Sequence, residues 1–116
     1  SYMKPQVNFT ESFALLDIRV GTVISAITFE KARNPSYKIE VDFGPDIGIK
    51  KSSAQITHYY ETSALIGTQI IAVINFPPRN IAGYMSEFLI LGIYDNGGGV
   101  ILLRPDRAVD NGSEIG

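Results

Sequence analysis

The sequence predicts an all-β fold, a five-stranded Greek-key barrel with short N-terminal and inter-strand helices and a C-terminal strand extension. Short apolar stretches, either alternating or β-branched, recur along the 116 residues and are bounded by glycine, proline and asparagine. They come in the order three strands, a short helix and two more strands. That order is typical of the barrel known as the OB-fold.

The individual stretches support this order. "DIRVGTVISAITFE" predicts a long first strand, in which Gly21 marks a bulge or a bend at a barrel corner. "YKIEVDF" alternates strictly and predicts a half-buried second strand. "IKKSS" predicts the third strand, and "AQITHYYETSALIG" a short helix with a turn. "TQIIAVINF" and "SEFLILGIY" predict the fourth and fifth strands. "DNGGG" is interpreted as a turn before a short strand "VILLRPD", and "DNG" near the end as a tight hairpin turn.

The N-terminal region predicts a short helix over residues 8–16. Asn8 with Glu11 three residues later resembles a helix cap. Phe9, Phe13 and Leu16 then share one helical face. A small barrel could not easily cover this face alone, so these three residues are predicted to form a homodimer contact. We expect one domain over residues 9–116 and a tail over residues 1–8.

Composition excludes several classes of function. The chain has no cysteine, which rules out disulfides and thiolate metal sites, and its formal net charge is −2. Basic residues exceed acidic ones only locally, over residues 31–51. No stretch approaches the ~20 apolar residues of a membrane span, so no membrane insertion is expected. The N-terminus shows no apolar core of an export signal, which predicts a cytoplasmic location.

The stretch "NFPPRNIAGYMSEFLILG" carries the strongest candidate site. Pro77 and Pro78 restrict the backbone and Gly83 permits a turn, which predicts a stiff loop that presents Arg79 at a barrel rim. The planar guanidinium suits a phosphate, a carboxylate or a stacked base. Glu87 is a candidate ion-pair partner for Arg79. The alternative is an ordinary turn with a solvated arginine.

A second candidate group surrounds the third strand. Lys50 and Lys51 precede Ser52, Ser53 and Gln55, which offer hydroxyl and amide hydrogen-bonding groups. Adjacent lysines on a strand point to opposite faces, so at most one would share a groove with Arg79. The alternative is an edge strand whose lysines discourage aggregation.

No pattern indicates catalysis. The single histidine, His58, cannot hold a metal ion alone, because zinc sites need three or four ligands. "DNGGGV" lacks the lysine and hydroxyl residue that end a phosphate-binding loop. We therefore expect no metal, no cofactor and no enzyme activity.

Several motifs carry a family resemblance. "LDIRVGTVISA", "KSSAQITHYY", "VINFPPRNIAGYMSEFLILG" and the tail "RPDRAVDNGSEI" resemble the CsaA family of export-associated chaperones, and together they span the chain from Phe9 onward. The chain is also similar to the tRNA-binding domain at the C-terminus of some methionyl-tRNA synthetases. The resemblance implies an OB-fold homodimer that binds a macromolecule.

Two binding functions remain open, and both would use the same barrel face; a third possibility is that the domain only assembles with a partner enzyme. The preferred one is chaperone-like binding of unfolded or export-bound polypeptides, for which Met85 would supply an adaptable apolar contact. The other is structure-specific tRNA binding, with Arg33 among the cations. The predicted ligand-binding residues are Arg79, Phe76, Asn75, Lys50, Lys51, Ser52, Ser53, Gln55, Ile81, Tyr84, Met85, Ser86 and Glu87.

Overall fold

A computed structural model describes residues 2–116. Its strands are β1 Ile18–Thr28, β2 Tyr37–Asp42, β3 Ile49–Ala54, β4 Gln69–Val73, β5 Arg79–Ile81, β6 Tyr84–Ser86, β7 Leu89–Ile90, β8 Gly92–Tyr94 and β9 Val100–Leu102. One short helix, α1, spans Thr62–Leu65 between β3 and β4.

The central sheet is antiparallel throughout and has the order β3-β2-β1-β4-β7. It curls into a nearly closed five-stranded barrel, which confirms the predicted fold class. The alternation in β2 explains why: Tyr37, Ile39 and Val41 point inward and are buried, while the residues between them face outward. Phe43 and Phe88 meet edge to face in the interior, with ring centroids 5.3 Å apart.

β1 belongs to both halves of the barrel. Its first part pairs with β4 and its second part with β2, and the two registers meet at Thr22. Gly21 lies at this point because a Cβ there would come within 2.5 Å of Val41 Cγ1. The glycine therefore permits close packing of β1 against Val41, while the register shift predicted near it falls between Val23 and Ser25.

The barrel has an open seam between β3 and β7, which do not form a ladder. The seam is bridged locally instead. The Ser52 hydroxyl, buried at 1% exposure, donates to the Phe88 carbonyl oxygen at 2.7 Å and lies 2.6 Å from Ser86 Oγ. The Glu87 N–H donates to the Lys51 carbonyl oxygen at 2.8 Å. These contacts close one end of the seam.

The N-terminal helix predicted over residues 8–16 is reduced to one 3-10 turn at Phe13–Leu15. Asn8 Oδ1 accepts the Glu11 N–H at 3.1 Å in the turn before it, but the 3-10 turn itself begins after Ser12 without a side-chain cap. A turn of three residues has too few hydrogen bonds to propagate a helix. Phe9 and Phe13 still lie together, with ring centroids 5.9 Å apart.

The C-terminal extension runs antiparallel to the start of β1, and one bridge joins Arg19 to Glu114. Arg19 holds the extension by donating to the Gly112 carbonyl oxygen at 3.0 Å and by an ion pair with Glu114 at 3.6 Å. Its Nε also donates to Oδ1 of the neighbouring Asp17 at 2.5 Å. The hydrogen bond with Asp17 raises the pKa of Arg19. A turn does form at "DNG", where the Ser113 N–H donates to the Asp110 carbonyl oxygen. It is not the predicted hairpin, because the Gly112 N–H donates to the Val20 carbonyl oxygen of β1.

The single strand predicted from "SEFLILGIY" is interrupted. Ser86 ends β6, β7 pairs with β4, and β8 leaves the barrel to pair with β9. Leu91 marks the change, because its N–H donates to Ile71 whereas its carbonyl oxygen accepts from Leu103. The stretch therefore contributes strand residues to three separate sheets. Within residues 2–116, no helix has the length and apolar character needed to cross a membrane.

Candidate functional site: a groove at the barrel seam

The sequence predicted a stiff loop after β4, and the structure shows a short connection that contains both prolines, followed by a β-hairpin that begins at Arg79. β5 and β6 pair with Arg79 opposite Ser86 and Ile81 opposite Tyr84. The two-residue turn has positive φ at both positions, 49° at Ala82 and 85° at Gly83. Such turns match the twist of paired strands. The predicted role of Gly83 as a turn residue is thus confirmed.

A groove of about 930 Å³ opens where β3 and β7 diverge. We call it the seam groove. Its walls come from the end of β3, the β5–β6 hairpin, β7 and the β8–β9 hairpin. The lining residues on which the argument depends are Ser53, Gln55, Phe76, Arg79, Ile81, Glu87, Leu89, Tyr94 and Asp95. Apolar side chains with a few polar groups are typical of binding pockets.

Several of the lining side chains are exposed although they are apolar. Phe76 is 46% exposed, Leu89 51% and Tyr94 91%. Large apolar side chains of this kind, grouped along one concave surface, are typical of an interaction site. The seam groove is therefore the strongest candidate for ligand binding in the described part of the chain.

Arg79 is the cation of the groove. The predicted ion pair with Glu87 is absent: across residues 2–116, no carboxylate oxygen lies within 4.0 Å of the Arg79 guanidinium. Glu87 instead accepts the Lys51 N–H through Oε1 at 2.9 Å and thereby helps to close the seam. Arg79 is exposed and its donors are available to a ligand.

Seven of the thirteen predicted residues meet in the seam groove: Phe76, Arg79, Ile81, Ser53, Gln55, Ser86 and Glu87. The others lie elsewhere. Lys50 points toward the barrel interior opposite Val41 and is half-buried, and Ser52 is inside the wall. Asn75 uses its amide to accept the Asp17 N–H at 2.9 Å and to donate to the Leu15 carbonyl oxygen at 2.9 Å. Met85 faces away from Ile81, on the opposite side of the hairpin, and is 40% exposed.

Tyr84 and Lys51 belong to a separate cluster. The ammonium groups of Lys51 and Lys38 both lie 5.0 Å from the centroid of the Tyr84 ring. The ring also packs edge to face on Phe29 at 5.5 Å. Burial, and then the nearby carboxylates Glu40 and Glu87, raise the pKa of Tyr84. We call these residues the tyrosine cluster; it holds the hairpin tip over β2 and β3.

The far wall of the groove was missed by sequence reasoning. Asp95 accepts a hydrogen bond from the Tyr59 hydroxyl through Oδ2. Its Oδ1 accepts the N–H groups of Gly97 at 2.9 Å and Gly99 at 3.1 Å. A Cβ at Gly99 would lie 2.4 Å from Tyr59 Cε2, so glycine is required there. The signal was present in "DNGGG", but its contact with "HYY" joins residues 36 positions apart.

His58 packs edge to face on Tyr59 with centroids 4.6 Å apart, as expected for a histidine with a packing role. Within residues 2–116, no three histidine, aspartate or glutamate side chains group in a way that could hold a metal ion. The groove offers apolar contact, hydrogen-bonding groups and three charged side chains, the cation Arg79 and the carboxylates Glu87 and Asp95.

With this fold and groove, the chain belongs to the family described as "Putative tRNA binding domain", whose sequence profile matches residues 18–114. It is 33% identical over 96% of its length to a methionine–tRNA ligase of Methanosarcina acetivorans. The chain spans only 15% of that enzyme, so this likeness concerns one domain of a longer protein.

Solved structures give a more specific likeness. The chaperone CsaA of Bacillus anthracis superposes with a TM-score of 0.90 at 48% identity, covering 97% of this chain and 100% of the other. The CsaA chaperone protein of Picrophilus torridus gives a TM-score of 0.90 at 44% identity, covering 96% of this chain and 100% of the other. The predicted resemblance to both groups is confirmed.

Proposed function

We propose that this chain binds unfolded or export-bound polypeptide segments in the seam groove, acting as a cytoplasmic homodimer and not as an enzyme. The observation that carries the proposal is the groove: about 930 Å³, lined by exposed apolar side chains, with Arg79 at its rim. Apolar walls offer affinity for varied side chains, and an available guanidinium adds a charge-assisted contact. The likeness to two proteins described as chaperones supports this choice.

Binding of tRNA is the second candidate, and two observations favour it. The family match is to a putative tRNA-binding domain, and the tyrosine cluster brings two lysines and an aromatic ring together on the outer barrel face. Stacking aromatics and cations are the usual means of binding unpaired bases and phosphates. Against it, the Tyr84 ring is already engaged by Phe29 and by both ammonium groups, and the net charge is −2.

A salt series separates the two functions. Binding of a weakly charged unfolded peptide and of tRNA is measured side by side by fluorescence anisotropy in increasing potassium chloride. Nucleic-acid affinity falls with a slope of about −0.7 per neutralised phosphate on single strands, whereas apolar binding changes little. We expect a nearly flat series for the peptide and weak tRNA binding near physiological salt. A tight tRNA complex with a slope of several units, lost in Lys38→Ala and Lys51→Ala, would favour the second candidate.

A further inference from the structure

The seam groove exposes a strand edge as well as apolar side chains. β3 pairs with β2 along its full length, from Ile49 to Ala54, and this occupies one edge. The other edge faces the seam. There the Lys51 carbonyl oxygen accepts the Glu87 N–H, and the Lys51 N–H donates to the Glu87 carboxylate. The Ser53 N–H makes one long hydrogen bond, to the Ser86 hydroxyl at 3.4 Å. Pairing along this edge weakens toward the groove.

The next residue of this edge is Gln55. Alternate residues of an antiparallel strand direct their N–H and C=O groups to the same side, which places residue 55 in line with residues 51 and 53. Gln55 is exposed and lines the groove, and neither its N–H nor its C=O has a hydrogen-bond partner within residues 2–116. The barrel therefore presents an unused main-chain donor and acceptor to whatever fills the groove.

We infer that the occupant is a polypeptide segment in extended conformation, which adds as a strand to the β3 edge at Ser53 and Gln55. The inference rests on the proposed function and names how that site recognises its ligand. The ligand's main chain pairs with the N–H and C=O of Gln55, as in other cases of strand addition. Its side chains alternate between the apolar wall and solvent, and an acidic side chain is matched by Arg79.

This mode of binding explains how one groove could accept many sequences. Main-chain hydrogen bonds are the same for every residue except proline, so they do not select side chains. A helical ligand would satisfy its own main chain and leave the Gln55 groups unmatched. Unfolded segments have free main-chain groups and fit this requirement.

The first test compares the effect of changing the ligand's backbone with the effect of changing the order of its side chains. The probe is a fluorescein-labelled, acetylated ten-residue peptide of valine, threonine and glutamate. A second peptide has the same side chains but N-methyl groups on its four central amides, and a third has scrambled side chains with an unmodified backbone. We expect methylation to weaken binding roughly tenfold, the effect of one or two lost hydrogen bonds, and scrambling to change it by less than about threefold.

The second test changes the protein's donor. Gln55→Pro removes the N–H of residue 55, which no protein group uses, and Ala54 before it already lies in an extended strand that tolerates a following proline. Gln55→Ala is the matched control, because it removes the side chain and keeps the N–H. We expect several-fold weaker peptide binding for the proline variant only, with both melting temperatures near that of the wild type.

The outcomes are distinct. If the unmodified peptide does not bind at all, the proposed function fails together with the inference. If it binds and methylation has no effect, strand addition alone is overturned, and this comparison holds even if Gln55→Pro does not fold. Slow, concentration-dependent hydrogen exchange of the Gln55 amide in the free protein would assign the edge to a second copy of the chain, which also overturns the inference.

Discussion

The hydroxyl of Tyr59 donates a hydrogen bond to the carboxylate of Asp95, and this joins the segment after β3 to the tip of the β8–β9 hairpin. Two walls of the seam groove are thereby tied together at one end. Asp95 also organises the tip itself, through the N–H groups of Gly97 and Gly99. One carboxylate thus sets both the shape of the tip and its distance from the barrel.

This bond predicts a pH-dependent contribution to stability. The hydrogen bond lowers the pKa of Asp95 below its ordinary 3.8 and raises the pKa of Tyr59 above its ordinary 10.0. A lowered carboxyl pKa stabilises the fold above pH 3.8 and is lost as the pH falls through the folded value. A raised tyrosine pKa stabilises it below pH 10.0 and is lost as the pH rises through the folded value.

We therefore expect Tyr59→Phe to lower the melting temperature most between these two limits. The difference from wild type should shrink toward both the acid and the alkaline end, as followed by calorimetry across pH. A constant difference at every pH would show that the phenol contributes by packing alone.

Arg79 is predicted to anchor an acidic ligand. Arg79→Ala should weaken binding of a glutamate-containing peptide by ~1–3 kcal/mol, because it removes a charge-assisted hydrogen bond. Its melting temperature should stay near that of wild type, since the side chain is exposed. Arg107→Ala is the control, because that arginine is 88% exposed and lies outside the groove. Titration calorimetry that gives equal affinities for the two variants would reject the anchor.

The two faces of the β5–β6 hairpin make opposite predictions. Ile81 lines the groove, whereas Met85 lies on the other side of the hairpin. Ile81→Ser should weaken peptide binding by about 1–2 kcal/mol through lost apolar contact, and Met85→Ser by much less. Fluorescence anisotropy with one labelled peptide measures both. The reverse order would move the binding surface to the outer face of the hairpin.

Gly21→Ala should destabilise the barrel by about 1–3 kcal/mol, the usual cost of overpacking a core. The added methyl would lie 2.5 Å from Val41 Cγ1 and 2.8 Å from Phe43 Cδ1. Gly116→Ala provides the comparison, since nothing lies within 4 Å of a Cβ there. Urea unfolding monitored by circular dichroism gives both free energies. Equal midpoints for the two variants would contradict close packing at Gly21.

The exposed N-terminal aromatics predict a homodimer. Phe9 is 67% exposed and Phe13 37% exposed, although the two rings lie in contact. Sedimentation at micromolar concentration should give twice the chain mass, and the Phe9→Ser, Phe13→Ser double variant should shift toward the monomer. Ile27→Ser, at a 56% exposed position on β1, should not. A wild-type monomer at every concentration would exclude the dimer.

The sequence by itself determined the elements whose signals are local. The period of two in "YKIEVDF" fixed which side chains of β2 are buried, and Gly83 has the turn role that its chemistry predicts. Asn8 makes the expected bond to the Glu11 N–H, although no helix follows it. The prolines indicated a rigid segment, and seven predicted ligand-binding residues do line one groove. Such features depend on residues a few positions apart, so the chain encodes them without reference to the rest of the fold.

Only the tertiary structure decided where the groove lies and what completes it. β3 and β7 are the two outer strands of the sheet, and whether they pair depends on where "SEFLILGIY" leaves the barrel, which is not visible in a local pattern. The same long-range pairing directs Lys50 inward. It also places the Glu87 carboxylate where it accepts the Lys51 N–H, so that Arg79 has no carboxylate partner among residues 2–116. The physical reason is that an open strand edge is defined by the strand that fails to pair with it, and that strand is distant in sequence.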